Sequence, residues 1–305
     1  MFRYIVSRVG QMVITLFIIS LVVFFLVRLK GDPVTILAPE TFNEAQKAAL
    51  RHAWGFDKPL GEQYLIFLGK AVRGDFGMSI EYRIPAMDLV IQRLKWTYLL
   101  AGVAALIGLV IALPLGILSA VYRNSPIDLA VTALATLGRA MPGFWIGLML
   151  MLVFSVHFRV LPAYGAESPK SIIMPALALG VGLAATLSRL TRSSMLEVMS
   201  QDYVRTARSK GLSERTVILR HALRNALIPV VTSFGLSLGW LLGGAVVIES
   251  VFSWPGLGRL MIDSINIRDI TIVQAGLLFF AMSFMLINLI VDIIYTLIDP
   301  RVRYD

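Results

Sequence analysis

The stretch Asp202–Pro229 reads "DYVRTARSKGLSERTVILRHALRNALIP" and stands apart from the apolar chain around it. Six cations, Arg205, Arg208, Lys210, Arg215, Arg220 and Arg224, with His221 as a seventh when protonated, face two acids, Asp202 and Glu214. Met195–Lys210 has helix-forming composition, and Gly211 suits the left-handed position that follows a helix end. Ser213 is placed to cap a second helix, expected over Glu214–Ile228 until Pro229 opens the next apolar run. On that helix Val217, Leu219, Leu223, Ala226 and Leu227 are apolar while Arg215, Arg220 and Arg224 are basic. A basic amphipathic helix can lie on anionic lipid. A lipid-surface helix needs no sharp glycine corner, however, and a corner makes a protrusion shaped for a protein groove.

Composition sets the class. Of 305 residues, 57% are hydrophobic and 15% charged, against ~25% charged in a soluble domain, and the mean hydropathy is +0.77. This predicts an all-α integral membrane protein. The net charge of +9 is gathered in loops between apolar runs, which argues against nucleic acid and for a membrane surface. No cysteine is present, which excludes disulfides, thiol catalysis and thiolate metal ligands. The histidines (His52, His157, His221) lack metal-ligand spacing, so no metal site is expected.

Six runs meet the ~20-residue requirement of a spanning helix: Val9–Val27, Thr97–Val121, Ala130–Phe158, Ile172–Leu190, Val230–Phe252 and Ile272–Ile298. The third is too long for one straight span, so Pro126–Gly138 is read as an extension on the inner side. Arg3 and Arg8 before the first run resemble a signal peptide. Its core is longer than ~7–15 residues and "FFLVRLKGDP" offers no small-x-small cleavage site, so it reads as an anchor. With the N-terminus inside, inner segments hold thirteen Lys and Arg, including Arg123, Arg189, Arg192, Arg301 and Arg303. The short outer loops hold four, Arg159, Lys170, Arg259 and Arg268. The positive-inside rule therefore puts both termini and the opening stretch in the cytoplasm. The expected layout is a first helix over 1–30, an external segment over 31–96, and a five-helix core over 97–305 that contains the loop 193–229. Within the external segment, "TFNEAQKAALRHAWG" predicts a short helix capped by Thr41 and ending at Gly55. "KPLGEQYLIFLGKAVRG" predicts a second, amphipathic one.

No nucleotide loop exists: the one Gly-Lys pair, Gly69–Lys70, is followed by Ala71. "GLSLG" at Gly235–Gly239 matches a hydrolase elbow. Ser237, however, lies in an apolar helical run without a nearby base, and the small residues suit close helix packing. Charges within spans are costly. Arg189 and Asp292 lie near inner helix ends, where they can snorkel. Arg139 precedes "AMPGFW", in which Pro142 and Gly143 loosen a helix, and Glu249 precedes "SVFSWPGLGRL". Arg139, Met141, Pro142, Phe144 and Glu249 are the candidates for a translocation path or gate, with helix pairing as the alternative role. Pro114, Pro142, Pro175, Gly180 and Gly182 fit either ordinary kinks or bent helices around a moving path.

Ala207 followed by Gly211, in a loop before the penultimate span, resembles the EAA loop of binding-protein-dependent ABC importer permeases. "YVRTARSKGLSERTVILRHALRNALIP" is similar to the B-type permease of the dipeptide/oligopeptide/nickel subfamily. "RLKGDP", "FDKPLGEQY", "RGDFGMS", "VIESVFSWPGLGRL" and "DPRVRY" extend the likeness over the whole chain. The general EAA pattern is only partly kept. Its Glu falls on Arg205 and its next residue on Thr206, while its "I-x-LP" falls on His221, Leu223 and Arg224. The resemblance implies a type I importer permease fold with six spans. It also implies a homologous C-type permease, two ATP-binding subunits that hold ATP and Mg, an external solute-binding protein, and no cofactor on this chain. The coupling loop would comprise Arg205, Thr206, Ala207, Arg208, Gly211, Leu212, Ser213, Arg215 and Arg220. Similar systems carry dipeptides, longer peptides, nickel chelates, glutathione or oligosaccharides in the bacterial inner membrane. A self-sufficient channel or ion-coupled transporter is the rival class, because it too lacks a nucleotide motif.

Overall fold

A computed structural model describes residues 2–29, 34 and 42–298. Thr41, the end of "RLKGDP" beyond Leu29, and "DPRVRY" with Arg301 and Arg303 lie outside these residues. Among the described residues the chain is helical, without named strands. The helices are α1 (Phe2–Leu29), α2 (Glu44–Trp54), α3 (Leu60–Val72), α4 (Ala86–Val121), α5 (Pro126–Ala140), α6 (Gly143–Leu150), α7 (Ile173–Met199), α8 (Asp202–Ser209), α9 (Leu223–Val251), α10 (Leu257–Asn266) and α11 (Ile270–Ile298). Two compact units are present, Met1–Lys95 with Leu260–Met285, and Trp96–Arg259 with Leu286–Asp305.

Among the described residues, five helical stretches are long and apolar enough to cross a membrane: Val6–Leu26, Ala86–Val121, Pro169–Met199, Glu214–Val251 and Ile270–Ile294. α5 and the α6 limb, bent by 105°, are apolar enough together to make a sixth when counted as one broken span. The bend is local chemistry. Proline at 142 has no N–H to continue α5 and holds the preceding residue extended, and Met141 accordingly leaves the helix at ψ 131°. α6 continues to His157 as a wider π-turn. The spans differ from the sequence reading chiefly in length. α4 starts at Ala86 rather than near Thr97, and its 36 residues extend about 54 Å. α7 continues nine residues past Leu190, to Met199. Pro229 lies inside α9 rather than at its start, downstream of a π-turn over Val217–Ala222.

In the first unit, α2 is capped by Asn43 and not by Thr41. Asn43 Oδ1 accepts from the Gln46 amide at 2.8 Å, and Gln46 Oε1 accepts from the Asn43 amide at 2.9 Å. This reciprocal box satisfies two end donors at once. The helix closes at Gly55 with φ +72°, as expected. α3 joins α1 through Tyr64, whose hydroxyl lies 2.8 Å from Ser20 Oγ and whose ring meets Phe17 and Phe24 edge-on. Asp269 ties the 79–82 turn to the start of α11. Its carboxylate accepts from Ser79 Oγ, the Ile80 amide at 3.0 Å and Thr271 Oγ1 at 2.6 Å.

In the second unit α7 is central, packing against α9, α5 and α6. Its contact with α4 depends on small residues. A Cβ on Gly180 would sit 2.8 Å from the Ala104 carbonyl, and one on Gly116 would sit 2.7 Å from the Ser188 carbonyl. Apolar attraction between helices is absent in lipid, so close backbone approach of this kind supplies the packing energy. A buried cluster of Leu100, Met174, Ile248, Phe252 and Trp254 fills the centre. The large apolar side chains left exposed, such as Leu106, Val110 and Trp240, suit a lipid surround.

Candidate functional site

The basic stretch forms a hairpin of two helical arms. α7 ends at a turn over Ser200–Gln201, so the first arm is the separate helix α8 rather than a continuation from Met195. Gly211 makes the corner at φ +76°, where a residue with Cβ pays about 1–2 kcal/mol. The space beside it is open, so glycine is required there by backbone conformation and not by crowding within this chain. Ser213 occupies the cap position, but its hydroxyl lies 2.9 Å from Thr216 Oγ1 instead of capping an amide. The Ser213 carbonyl still accepts from the Val217 amide at 3.0 Å.

Three devices hold the hairpin rigid. Val204, Ala207 and Val217 bury one another between the arms, so Ala207 is small because Val217 lies opposite. Arg208 reaches across the corner to Glu214, with Nε–Oε1 at 2.7 Å and Nη2–Oε2 at 3.4 Å. Asn225 Nδ2 donates to Tyr203 Oη at 2.7 Å at the base. The cations therefore divide. Arg208 is engaged by Glu214, and Arg205 lies 3.7 Å from Asp202. Thr206 bonds back to the Asp202 carbonyl. Arg215 and Arg220 are exposed, and Leu212 beside the corner is 40% exposed.

The hairpin is rooted in the helices above it. Ala222 and Ala226 pack with Ala120 of α4 and Met195 of α7. Close by in sequence, Arg192 of α7 grips Asp128 of α5 bidentately, at 2.7 and 2.8 Å. Asp128 also accepts from Ser119 Oγ of α4 and, at 2.9 Å, from the Asn124 amide. Asp128 is 5% exposed, and a paired, fully hydrogen-bonded carboxylate is the form in which a buried charge is tolerated. One carboxylate thus joins α4, α5 and α7. Sequence reading missed it because Asp128 and Arg192 are 64 residues apart.

At the α5–α6 bend a cavity of about 320 Å³ opens, lined in part by Arg139, Met141, Phe144, Leu179, Val247 and Ile248. Pro142 caps α6 at the break. Of the five path candidates, Arg139, Met141 and Phe144 come together on this cavity. Glu249 does not: it is fully buried and accepts from Thr97 Oγ1 at 2.6 Å and the Arg259 amide at 3.0 Å, with the Gly258 amide alongside. The backbones of Gly256 and Gly258 press so closely on it that a Cβ on either would collide with the carboxylate. This explains the "WPGLG" spelling: the turn must wrap an acid. Ser237 Oγ donates to the Ser233 carbonyl at 2.7 Å within α9, a helix-internal bond with no nucleophile geometry.

A hairpin loop before the penultimate span and a span broken at its cavity define a permease of the binding-protein-dependent class. The chain belongs to that family. Residues 112–304 match the binding-protein-dependent transport system inner membrane component, and residues 1–101 match its N-terminal component. It is similar to the glutathione transport system permease protein GsiC of Escherichia coli (strain K12) and of Shigella dysenteriae serotype 1 (strain Sd197). Each is 43% identical over 305 residues, with both chains fully covered. Its fold resembles that of the inward-facing MetNI methionine ABC transporter, with a TM-score of 0.59, 22% identity, and 70% of this chain and 97% of that one covered. An amino acid ABC transporter solved with histidines gives 0.53, 19%, 70% and 94%. The protein is thus a multi-pass inner-membrane permease subunit of an ABC importer and not a self-contained channel. ATP hydrolysis in such importers belongs to separate ATPase subunits.

Proposed function

We propose that this chain forms half of the translocation path of an importer for small peptides, with glutathione-like tripeptides within its range. Its whole-length similarity to glutathione permeases supports the solute class. The second half would be a homologous C-type permease. Two ATP-binding subunits would hold ATP and Mg, and an external binding protein would deliver solute. Both termini and the 193–229 loop lie in the cytoplasm in this reading, and residues 31–96 face outward, following the charge asymmetry of the short loops.

The observation that carries the reading is the build of the 202–222 hairpin. It is stiffened across its corner by Arg208–Glu214, rooted on α4 and α7, and exposes Leu212, Arg215 and Arg220. A rigid, rooted protrusion converts a displacement at its tip into a displacement of the helices that carry it. Closure of ATP-bound subunits would push the corner, and the Asp128–Arg192–Ser119 cluster would make α4, α5 and α7 move together. The α5–α6 bend would alter the cavity. Co-purification tests this: ATPase subunits should come down with the tagged wild-type chain, and Gly211→Asp should uncouple ATP hydrolysis from uptake. Normal uptake by that variant would sink the lever.

A further inference from the structure

The cavity at the α5–α6 bend has an uneven chemistry. Arg139 is the one ionisable residue on its lining, which is otherwise glycine and apolar side chains such as Met141, Phe144, Leu179 and Val247. No Asp or Glu lines it, and Arg139 makes no ion pair among the described residues. Its place in the last turn of α5 favours a cation through the helix dipole. Lysine would serve that purpose equally, and nothing in it requires an opening beside the side chain. A volume of about 320 Å³ lies at the small end of solute sites, commonly ~300–1,000 Å³.

Resting on the reading of this cavity as part of the path, we infer that Arg139 makes it a transit site for the carboxylate of an anionic solute. The guanidinium offers two parallel N–H donors that match a carboxylate's two oxygens. Arg139 is itself exposed, so its guanidinium is open to an entering solute. Apart from Arg139 the walls offer the solute no polar side chain, so selection acts on the charged end and tolerates varied side chains. A single contact holds weakly enough to release the solute, as passage requires.

The test uses the whole importer in proteoliposomes with its binding protein. It measures uptake of a tripeptide and of its C-terminal amide, both at concentrations that saturate the binding protein. Arg139→Gln should lower uptake of the acid about tenfold, because its amide can replace one donor of the fork but neither the second donor nor the charge, and leave the amide within twofold. Arg139→Lys should fall between, keeping charge but not the fork. Equal loss for both peptides, no loss for either, or full activity with Lys and Gln alike would overturn the inference. ATP hydrolysis and ATPase co-purification report separately on the coupling loop. If these are intact while acid and amide behave alike, only the carboxylate site fails. If wild type carries neither peptide, the peptide reading falls with it.

Discussion

Replacing Glu249 by Gln tests whether the buried carboxylate holds the 253–259 turn. The substitution keeps shape and one acceptor oxygen, so Thr97 Oγ1 can still donate. The other oxygen becomes an NH2 group facing the Arg259 amide, now 3.0 Å from Oε2, and the neighbouring Gly258 amide. Leaving buried donors unpaired costs about 1–3 kcal/mol each, so the loss should be about 2–6 kcal/mol. Thr97→Val should cost a similar amount, because Thr97 both donates to Glu249 and accepts from the Leu257 amide at 2.8 Å. The double variant should lose less than the sum, with a coupling of about 1–2 kcal/mol. Tryptophan emission of the purified chain is the readout, since buried Trp254 meets Trp96 edge-on at 5.4 Å and donates to its carbonyl. A midpoint lowered on the order of 10 °C is expected. Glu249→Gln melting within about 2 °C of wild type would refute the reasoning.

Four further outcomes can be checked. Asp128→Asn should destabilise the chain by about 3–5 kcal/mol, because Arg192 loses its partner in a largely buried pair; an unchanged denaturation midpoint would count against the cluster. Gly180→Val should abolish folded expression, since even a Cβ meets the Ala104 carbonyl at 2.8 Å; normal yield on size exclusion would show that α4 and α7 can separate there. Arg215→Ala with Arg220→Ala should weaken ATPase association in a salt-dependent way. Arg208→Ala should instead leave the salt dependence alone and loosen the corner, seen as faster amide exchange over 208–216; identical salt slopes for the two variants would contradict the division of cations. Gly211→Asn should be tolerated better than Gly211→Val, because asparagine adopts the left-handed region more readily. Equal uptake by the two would remove backbone conformation as the reason for glycine.

The helical class and the number of spans were legible in the sequence because a span is a local property: twenty apolar residues announce themselves. The glycine corner was legible for the same reason, as was the loosening at Pro142. Boundaries were less so. α4 begins at Ala86 because amphipathic turns before Thr97 satisfy their backbone within the helix, whatever their hydropathy. Pro229 misled because a proline early in a long helix is tolerated next to a π-turn. Asn43 displaced Thr41 as a cap through its partner Gln46, a signal present in the sequence as N-x-x-Q. The functions of charges were the least legible. Glu249 and Arg139 look alike as lone charges in apolar runs. One turns inward to Thr97 and a glycine-lined turn, the other lines a cavity, and only long-range packing distinguishes them. Arg208 and Arg215 likewise read as equivalent until Glu214 claims the first.

The most direct test of the coupling hairpin exploits the cysteine-free chain. Leu212→Cys, labelled with a photoreactive maleimide in the assembled importer, should yield an adduct with an ATPase subunit, whose yield changes when ATP is added. Leu65→Cys on α3, 66% exposed in the wild-type residue, should yield none. An intact assembly that gives no ATPase adduct from position 212, or an equal one from position 65, would contradict the assignment of the hairpin as the docking lever.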